Sequence, residues 1–305
     1  MPPTIIPFDE GERALDWLSL CAAFQAGHDR PRAEIADSLL YRGDDTLLNR
    51  AAWIDGLGLA VKSATIFPGN AARDLPSING GVSLYDDATG TLAAIVDFHL
   101  VTKWKTAGDS LYAATRLARA DSREILIVGA GTVAQSLWQA YGAAFPEAEF
   151  TVWNRTRARA EEMAAACDGI KVADDLEQAV RAADIVTCAT MTTEPLLKGE
   201  WLQPGQHIDL IGAYRPDMRE ADDAALRRAR LFVDSIETTV GHIGEIAIPM
   251  AAGTIARDDI VADYYDRQAF QRLSEDEITL FKNGGGAHLD LMTSRYILDA
   301  WQAAR

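Results

Sequence analysis

Three sets of residues have the types and spacing that chemistry requires. The first is Gly129-Ala130-Gly131-Thr132-Val133-Ala134, a GxGxxA motif. It follows Glu124-Ile125-Leu126-Ile127-Val128, a continuous apolar run expected of a strand buried on both faces. It opens a predicted helix that reaches residue 144. In that setting Gly129 permits a tight turn, Gly131 lets backbone approach a pyrophosphate, and Ala134 lets helix and strand pack closely. The helix N-terminus then offers free N–H groups to phosphate. The alternative is a glycine turn with no ligand.

The second set ends the next predicted strand, Trp153-Asn154-Arg155-Thr156-Arg157. An NAD enzyme usually carries Asp or Glu there, to bind the ribose 2′-hydroxyl. Here an acid is absent and two arginines are present. A guanidinium complements a 2′-phosphate in charge and fork geometry. NADPH is therefore expected, with NADH bound more weakly, and with Asn154, Arg155 and Thr156 at the phosphate. The competing reading is a solvated helix start. Thr190, Pro195 and Gly212 complete the expected cofactor set, at or just after predicted strand ends, where open α/β sheets bind ligands.

The third set is cationic. Lys62 interrupts the apolar run Leu59-Ala60-Val61-Lys62-Ser63-Ala64-Thr65-Ile66-Phe67. Strand alternation puts Ala60, Lys62, Ala64 and Ile66 on one face, so small neighbours leave room for a ligand. Such a lysine can pair with a carboxylate or, if desolvated, shuttle a proton. It can also be an edge-strand lysine that deters aggregation. Lys105 and Thr106 precede an alanine-rich helix, which Thr106 could cap or from which it could bond substrate.

The elements that must hold these residues change texture along the chain. Residues 9–27 read as one helix, and residues 33–101 as β-rich, with a hairpin over 82–96 turning at Asp86-Asp87-Ala88-Thr89-Gly90. A helix is predicted over 103–119. Strands at 124–128, 149–153, 170–172, 185–189, 207–211 and 231–233 then alternate with helices at 132–144, 157–166, 175–182 and 222–229. That alternation is the pattern of a doubly wound parallel sheet. A last helix, 287–302, follows Gly284-Gly285-Gly286. The expected fold is α/β: a Rossmann domain over 118–286, inserted in a smaller α+β domain made of 1–117 and 287–305.

Composition narrows the classes. Against 45 acidic residues stand 29 Lys and Arg, a formal net charge of −16. That argues against nucleic acid as a partner, which needs a basic face, but not against a small anion in a local cationic pocket. The three cysteines, Cys21, Cys167 and Cys188, form no metal pattern, and a reduced cytoplasmic setting is expected. No apolar run is long enough for a membrane span.

Several long motifs in one order give the chain a family likeness. They are Val61-Lys62 leading to Phe67-Pro68-Gly69-Asn70, Lys105-Thr106-Ala107, the Gly129 motif and Trp153-Asn154-Arg155-Thr156. Thr193-Glu194-Pro195, Gly199-Glu200-Trp201 and Pro204-Gly205 follow. The series ends on Ile211-Gly212-Ala213, Arg215-Pro216-Asp217 and Arg219-Glu220. Together they resemble the ornithine cyclodeaminase/mu-crystallin family over nearly the whole chain. The resemblance implies a homodimer whose outer domain binds substrate around a Rossmann core. It places Arg32, Lys62 and Lys105 at the substrate carboxylate, with Arg30 competing for the Arg32 role. Lys62 and Thr106 are the expected catalytic residues.

Within that family the chain looks most like the ketimine reductases. Where cyclodeaminases have an aspartate after Ile211-Gly212-Ala213, this chain has Tyr214. A phenol with a pKa near 10 is a poor base at neutral pH. The expected activity is NADPH-dependent reduction of Δ1-pyrroline-2-carboxylate, a small anionic cyclic imine, to L-proline, with the six-membered homologue as a further substrate. Ornithine cyclodeaminase activity and a nucleotide-dependent binding role are the alternatives. No metal is expected.

Overall fold

Short polar turns fold residues 34–97 back on themselves. The Asp86 carboxylate, for example, accepts from the Thr89 N–H and hydroxyl (2.9 and 2.7 Å), which closes one hairpin. The computed structural model describes residues 2–305. It divides into two units, Met1–Lys105 with Gly285–Arg305, and Thr106–Gly284. The first unit opens with β1 (Thr4–Ile6), α1 (Phe8–Glu12), α2 (Trp17–His28), β2 (Glu34–Arg42), β3 (Asp45–Ile54), β4 (Gly58–Ile66), β5 (Ile78–Tyr85) and β6 (Leu92–Asp97). The sheet order is β1-β6-β5-β4-β3-β2, antiparallel except for the β1–β6 pair. In β4 the alternate residues Gly58, Ala60, Lys62 and Ala64 are buried. Because β4 lies between β3 and β5, Lys62 is not an edge-strand lysine.

The single helix expected over 9–27 is two helices. Asp16 has an extended backbone (φ −134°, ψ 134°), and its carboxylate accepts from the Ser19 N–H at 2.8 Å, capping α2. An aspartate competes well for that cap, and apolar spacing alone does not register it.

Helix α3 (Phe98–Leu117) starts five residues before the expected helix, where the Asp97 carboxylate accepts from the Leu100 N–H at 2.9 Å. Lys105 and Thr106 therefore lie inside the helix, and Thr106 is not its cap. The division between the two units falls within α3, at 105/106, and again at 284/285. A continuous helix carries no composition shift to mark such a division.

The second unit continues with β7 (Glu124–Val128), α4 (Thr132–Ala144), β8 (Glu149–Trp153), α5 (Arg157–Ala166), β9 (Ile170–Val172), α6 (Leu176–Ala182) and β10 (Ile185–Cys188). Then come β11 (His207–Leu210), α7 (Asp223–Arg228), β12 (Arg230–Val233), α8 (Ile236–Thr239), α9 (Gly244–Ala251), β13 (Ile260–Ala262) and β14 (Thr279–Lys282). All eight strands are parallel, in the order β13-β12-β14-β11-β10-β7-β8-β9. Leu126, Val128, Val186, Ile208, Leu210 and Leu280 form its buried apolar core. β14 fills the place between β11 and β12, yet its four residues, Thr-Leu-Phe-Lys, show no alternation that would predict a strand. The chain ends in α10 (Ala287–Ala303), which packs in the first unit against α2, β3 and β4. Tyr296 fixes it there: its hydroxyl accepts from the Asp16 N–H (2.7 Å) and donates to the Asp16 carbonyl (2.9 Å).

Candidate functional site

In the second unit a cleft of about 510 Å³ opens at the C-terminal ends of β7, β8 and β10. Seven of the expected cofactor residues line it: Gly129, Ala130 and Gly131, then Asn154, Arg155 and Thr156, then Thr190. Gly129 has φ +113°, a backbone that side chains rarely adopt, and a Cβ there would lie 2.8 Å from the Ala189 carbonyl oxygen. Around Gly131 nothing lies within 4 Å of that position, so its backbone faces open space. No side chain caps α4, which leaves the first-turn N–H groups, those of Thr132 and Val133 among them, available to an anion. These features fit a dinucleotide pyrophosphate.

The residues after β8 divide by their partners. Arg157 bonds Glu161 at 2.7 Å and also pairs with Asp174. Arg155 is exposed on the cleft wall with no protein partner among the described residues. Asn154 donates to the Thr156 carbonyl at 2.9 Å, which fixes the turn that presents Arg155.

Two expected cofactor residues stand back from the cleft. Pro195 sits between the lining residues Glu194 and Leu196, and its carbonyl accepts from Lys198 at 2.9 Å. Gly212 supports the wall from behind: a Cβ on it would lie 1.8 Å from the Thr190 carbonyl oxygen. Gly212→Ala is expected to force these two strand ends apart at a cost of about 1–3 kcal/mol, seen as a lower Tm in thermal melting. An unchanged Tm would show that the contact relaxes freely. The sequence reading missed Met191 and Thr192, which also line the cleft. Nothing in their types singles them out.

In the first unit a set of cations surrounds one carboxylate. Lys62 Nζ donates to Asp290 Oδ1 at 2.9 Å, and Lys105 Nζ stands 4.0 Å from the same oxygen. Lys105 and Arg50 both donate to the Gly285 carbonyl, at 3.0 and 2.8 Å. The Lys62 ammonium also lies 4.8 Å from the centre of the Phe98 ring. Burial, opposed by Asp290 and aided by Lys105 and Arg50, brings the Lys62 pKa down to about 8. The same burial holds His288 neutral, at about 3. Arg32 is exposed, but its charge is among those that lower His288. Its competitor Arg30 donates to the Gly56 carbonyl at 2.6 Å. Arg50 and Asp290 were not foreseen. The available signal for Asp290 was an acid inside the apolar helical run Leu289-Asp290-Leu291-Met292.

Thr106 contributes its carbonyl to Asn283 Nδ2 at 3.0 Å. Tyr214 is exposed, and Asp217 is held by two 2.9 Å bonds from Arg215 that lower its pKa. Among the described residues no cluster of His, Cys, Asp or Glu suits a metal ion, and no helix is long and apolar enough to cross a membrane.

An eight-stranded, doubly wound parallel sheet with an open glycine turn at a helix N-terminus defines a Rossmann-type dinucleotide-binding protein. The chain belongs to the ornithine cyclodeaminase/mu-crystallin family, whose profile matches residues 53–305. It is 49% identical over 303 residues to the Δ1-pyrroline-2-carboxylate reductase of Paracoccus denitrificans, across 97% of this chain and 96% of that one. Its structure matches that of Thermococcus litoralis Δ1-pyrroline-2-carboxylate reductase in complex with NADH and L-proline. That match has a TM-score of 0.88 and 27% identity, and it covers 99% and 98% of the two chains. It also matches an archaeal alanine dehydrogenase dimer with bound NAD, at TM-score 0.89 and 26% identity, covering 100% and 97%. The family and fold read from sequence are thereby confirmed.

Proposed function

We propose that the protein is an NADPH-dependent ketimine reductase that converts Δ1-pyrroline-2-carboxylate to L-proline. The near full-length likeness to the Paracoccus reductase carries this reading. The cation cluster around Asp290 gives it a physical basis. Arg50 is paired with Asp37 at 3.1 Å, while Lys62 and Lys105 share the one buried carboxylate of Asp290, so the two lysines leave one positive charge for an anionic substrate. The bound cofactor supplies a hydride to the imine carbon. Lys62, still largely protonated at neutral pH, holds a proton for the ring nitrogen. Lys105 faces the carboxylate as a point donor rather than a two-point fork. Arg32 and Thr106 are the remaining substrate residues of this reading.

In this proposal the first unit binds substrate and dimerises, and the second holds NADPH. Arg155, unpartnered beside the cleft, supports the 2′-phosphate assignment. Exposed Leu39, Leu40, Tyr41 and Trp53 on β2 and β3 support a homodimer. The three cysteines, all buried, suit the reducing cytoplasm. Tyr214 and the engaged Asp217 count against cyclodeamination of ornithine.

The direct test is NADPH oxidation by purified protein with Δ1-pyrroline-2-carboxylate, alongside NADH, the six-membered imine, and L-ornithine with NAD. Turnover with imine and NADPH is expected, and none from ornithine. Proline and ammonia from ornithine would overturn the reading, and silence in every arm would favour a binding role. Asp290→Asn tests the cluster. Asp290 raises the Lys62 pKa, so its removal is expected to move the alkaline fall in kcat/KM to lower pH, below the value near 8 set by Lys62. An unmoved profile would dissociate Asp290 from the reaction.

A further inference from the structure

Glu220 is fully buried in the segment after β11, and both of its carboxylate oxygens are engaged. Oε1 accepts from the Thr190 N–H and from the Thr190 hydroxyl, each at 2.7 Å. Oε2 accepts from the Gly212 N–H at 2.6 Å. Thr190 lies just beyond β10 and lines the dinucleotide cleft, and Gly212 lies just beyond β11. One side chain therefore ties together the ends of two adjacent parallel strands, where Gly212 already touches the Thr190 backbone.

Glu220 is itself fixed through its backbone. Glu245, on α9, accepts from the Glu220 N–H at 2.6 Å and from the Ala221 N–H at 3.1 Å. Lys282, at the end of β14, is the counter-charge to both acids, and it donates to the Leu210 carbonyl at 2.8 Å. Burial pushes Glu220 up to about 8 and raises Glu245 as well. Apolar side chains of similar size would fill this space with less penalty. The costly polar group sits directly behind the cleft wall.

We propose that Glu220 is a positioning residue for the dinucleotide, bracing Thr190 and the backbone beyond β11 in the shape that receives the cofactor. The inference rests on the NADPH reading and deepens it. It assigns Glu220 to cofactor affinity and not to the reduction step.

The test measures NADPH Kd by nicotinamide fluorescence, with kcat at saturating NADPH, in the wild type, Glu220→Ala, Glu220→Gln and Thr190→Val. Losing three buried hydrogen bonds to two strand ends is expected to raise Kd about tenfold or more in Glu220→Ala. Glu220→Gln, whose amide oxygen still serves one of the two strand ends, should show a smaller rise. Thr190→Val keeps the backbone N–H and should fall between Glu220→Gln and the wild type. In Glu220→Ala and Glu220→Gln, kcat at saturation and KM for the imine stay near wild type. A Kd unchanged in folded Glu220→Gln overturns the proposal, and so does a fall in kcat that matches the rise in Kd. If Glu220→Ala does not fold, the Glu220→Gln result decides. Failure of the wild type to bind NADPH would instead overturn the cofactor reading.

Discussion

Lys62→Ala is expected to lower kcat/KM for Δ1-pyrroline-2-carboxylate by about 10²–10⁴-fold, the range seen when a positioned proton donor is removed. At about 1.4 kcal/mol per decade this is roughly 3–5 kcal/mol of transition-state stabilisation. Two effects combine in it. The variant loses a cation facing the substrate, and it leaves Asp290 nearer to Lys105 alone, so the pocket's positive excess shrinks. The pH profile separates charge from proton transfer. The Lys62 pKa is lowered from 10.5 to about 8, so the ammonium is intact below that value and is lost above it. Wild-type kcat/KM should therefore fall above pH 8. Lys62→Arg keeps its charge over that range and should lack this fall. Protonation of the imine itself affects both proteins alike, so the ratio of the two profiles isolates Lys62. Unchanged kcat/KM in Lys62→Ala would remove Lys62 from the mechanism.

Arg155→Ala is expected to weaken NADPH binding by about 10- to 100-fold, the worth of one charge-assisted contact of roughly 1.5–3 kcal/mol. NADH, which lacks the 2′-phosphate, should bind to the variant almost as it does to the wild type. Arg157→Ala is the matched control. Its guanidinium is occupied by Glu161 and Asp174 on an exposed helix start, so its loss should change little. Because Arg155 is exposed, salt should erode the NADPH preference of the wild type. Equal weakening of both cofactors by Arg155→Ala would dismiss the 2′-phosphate assignment.

What the sequence made legible was local. Gly129, Gly131 and Ala134 act within one turn, between a strand and the helix that follows, so their spacing alone exposes the open glycine turn that the proposal gives to phosphate. Lys62 announced itself as a lone charge in an apolar strand. The partners that give these residues their properties were not local. Asp290 meets Lys62 across 228 residues of chain, and Glu220 reaches Thr190 across 30. No periodicity encodes such meetings. Local competition hid the rest. Asp16 takes a cap within an apparently continuous helical pattern, and β14 is a central strand of only four residues. Thr106 looked like a cap because Asp97, the residue that starts the helix, lay outside the expected boundary.

The return of α10 to the first unit sets an order on biosynthesis. Residues up to Lys105 emerge from the ribosome with Lys62 in place, but Asp290 and the Gly285 carbonyl come only after the whole second unit. At elongation rates of about 5–20 residues per second, the half-built unit waits roughly ten to forty seconds for its last helix. Until then Lys62 lacks its counter-ion, and β3 and β4 lack the helix that covers them. A nascent chain stalled in that interval presents an incomplete sheet that chaperones can bind, and proteases can sever it before Lys62 and Asp290 have met.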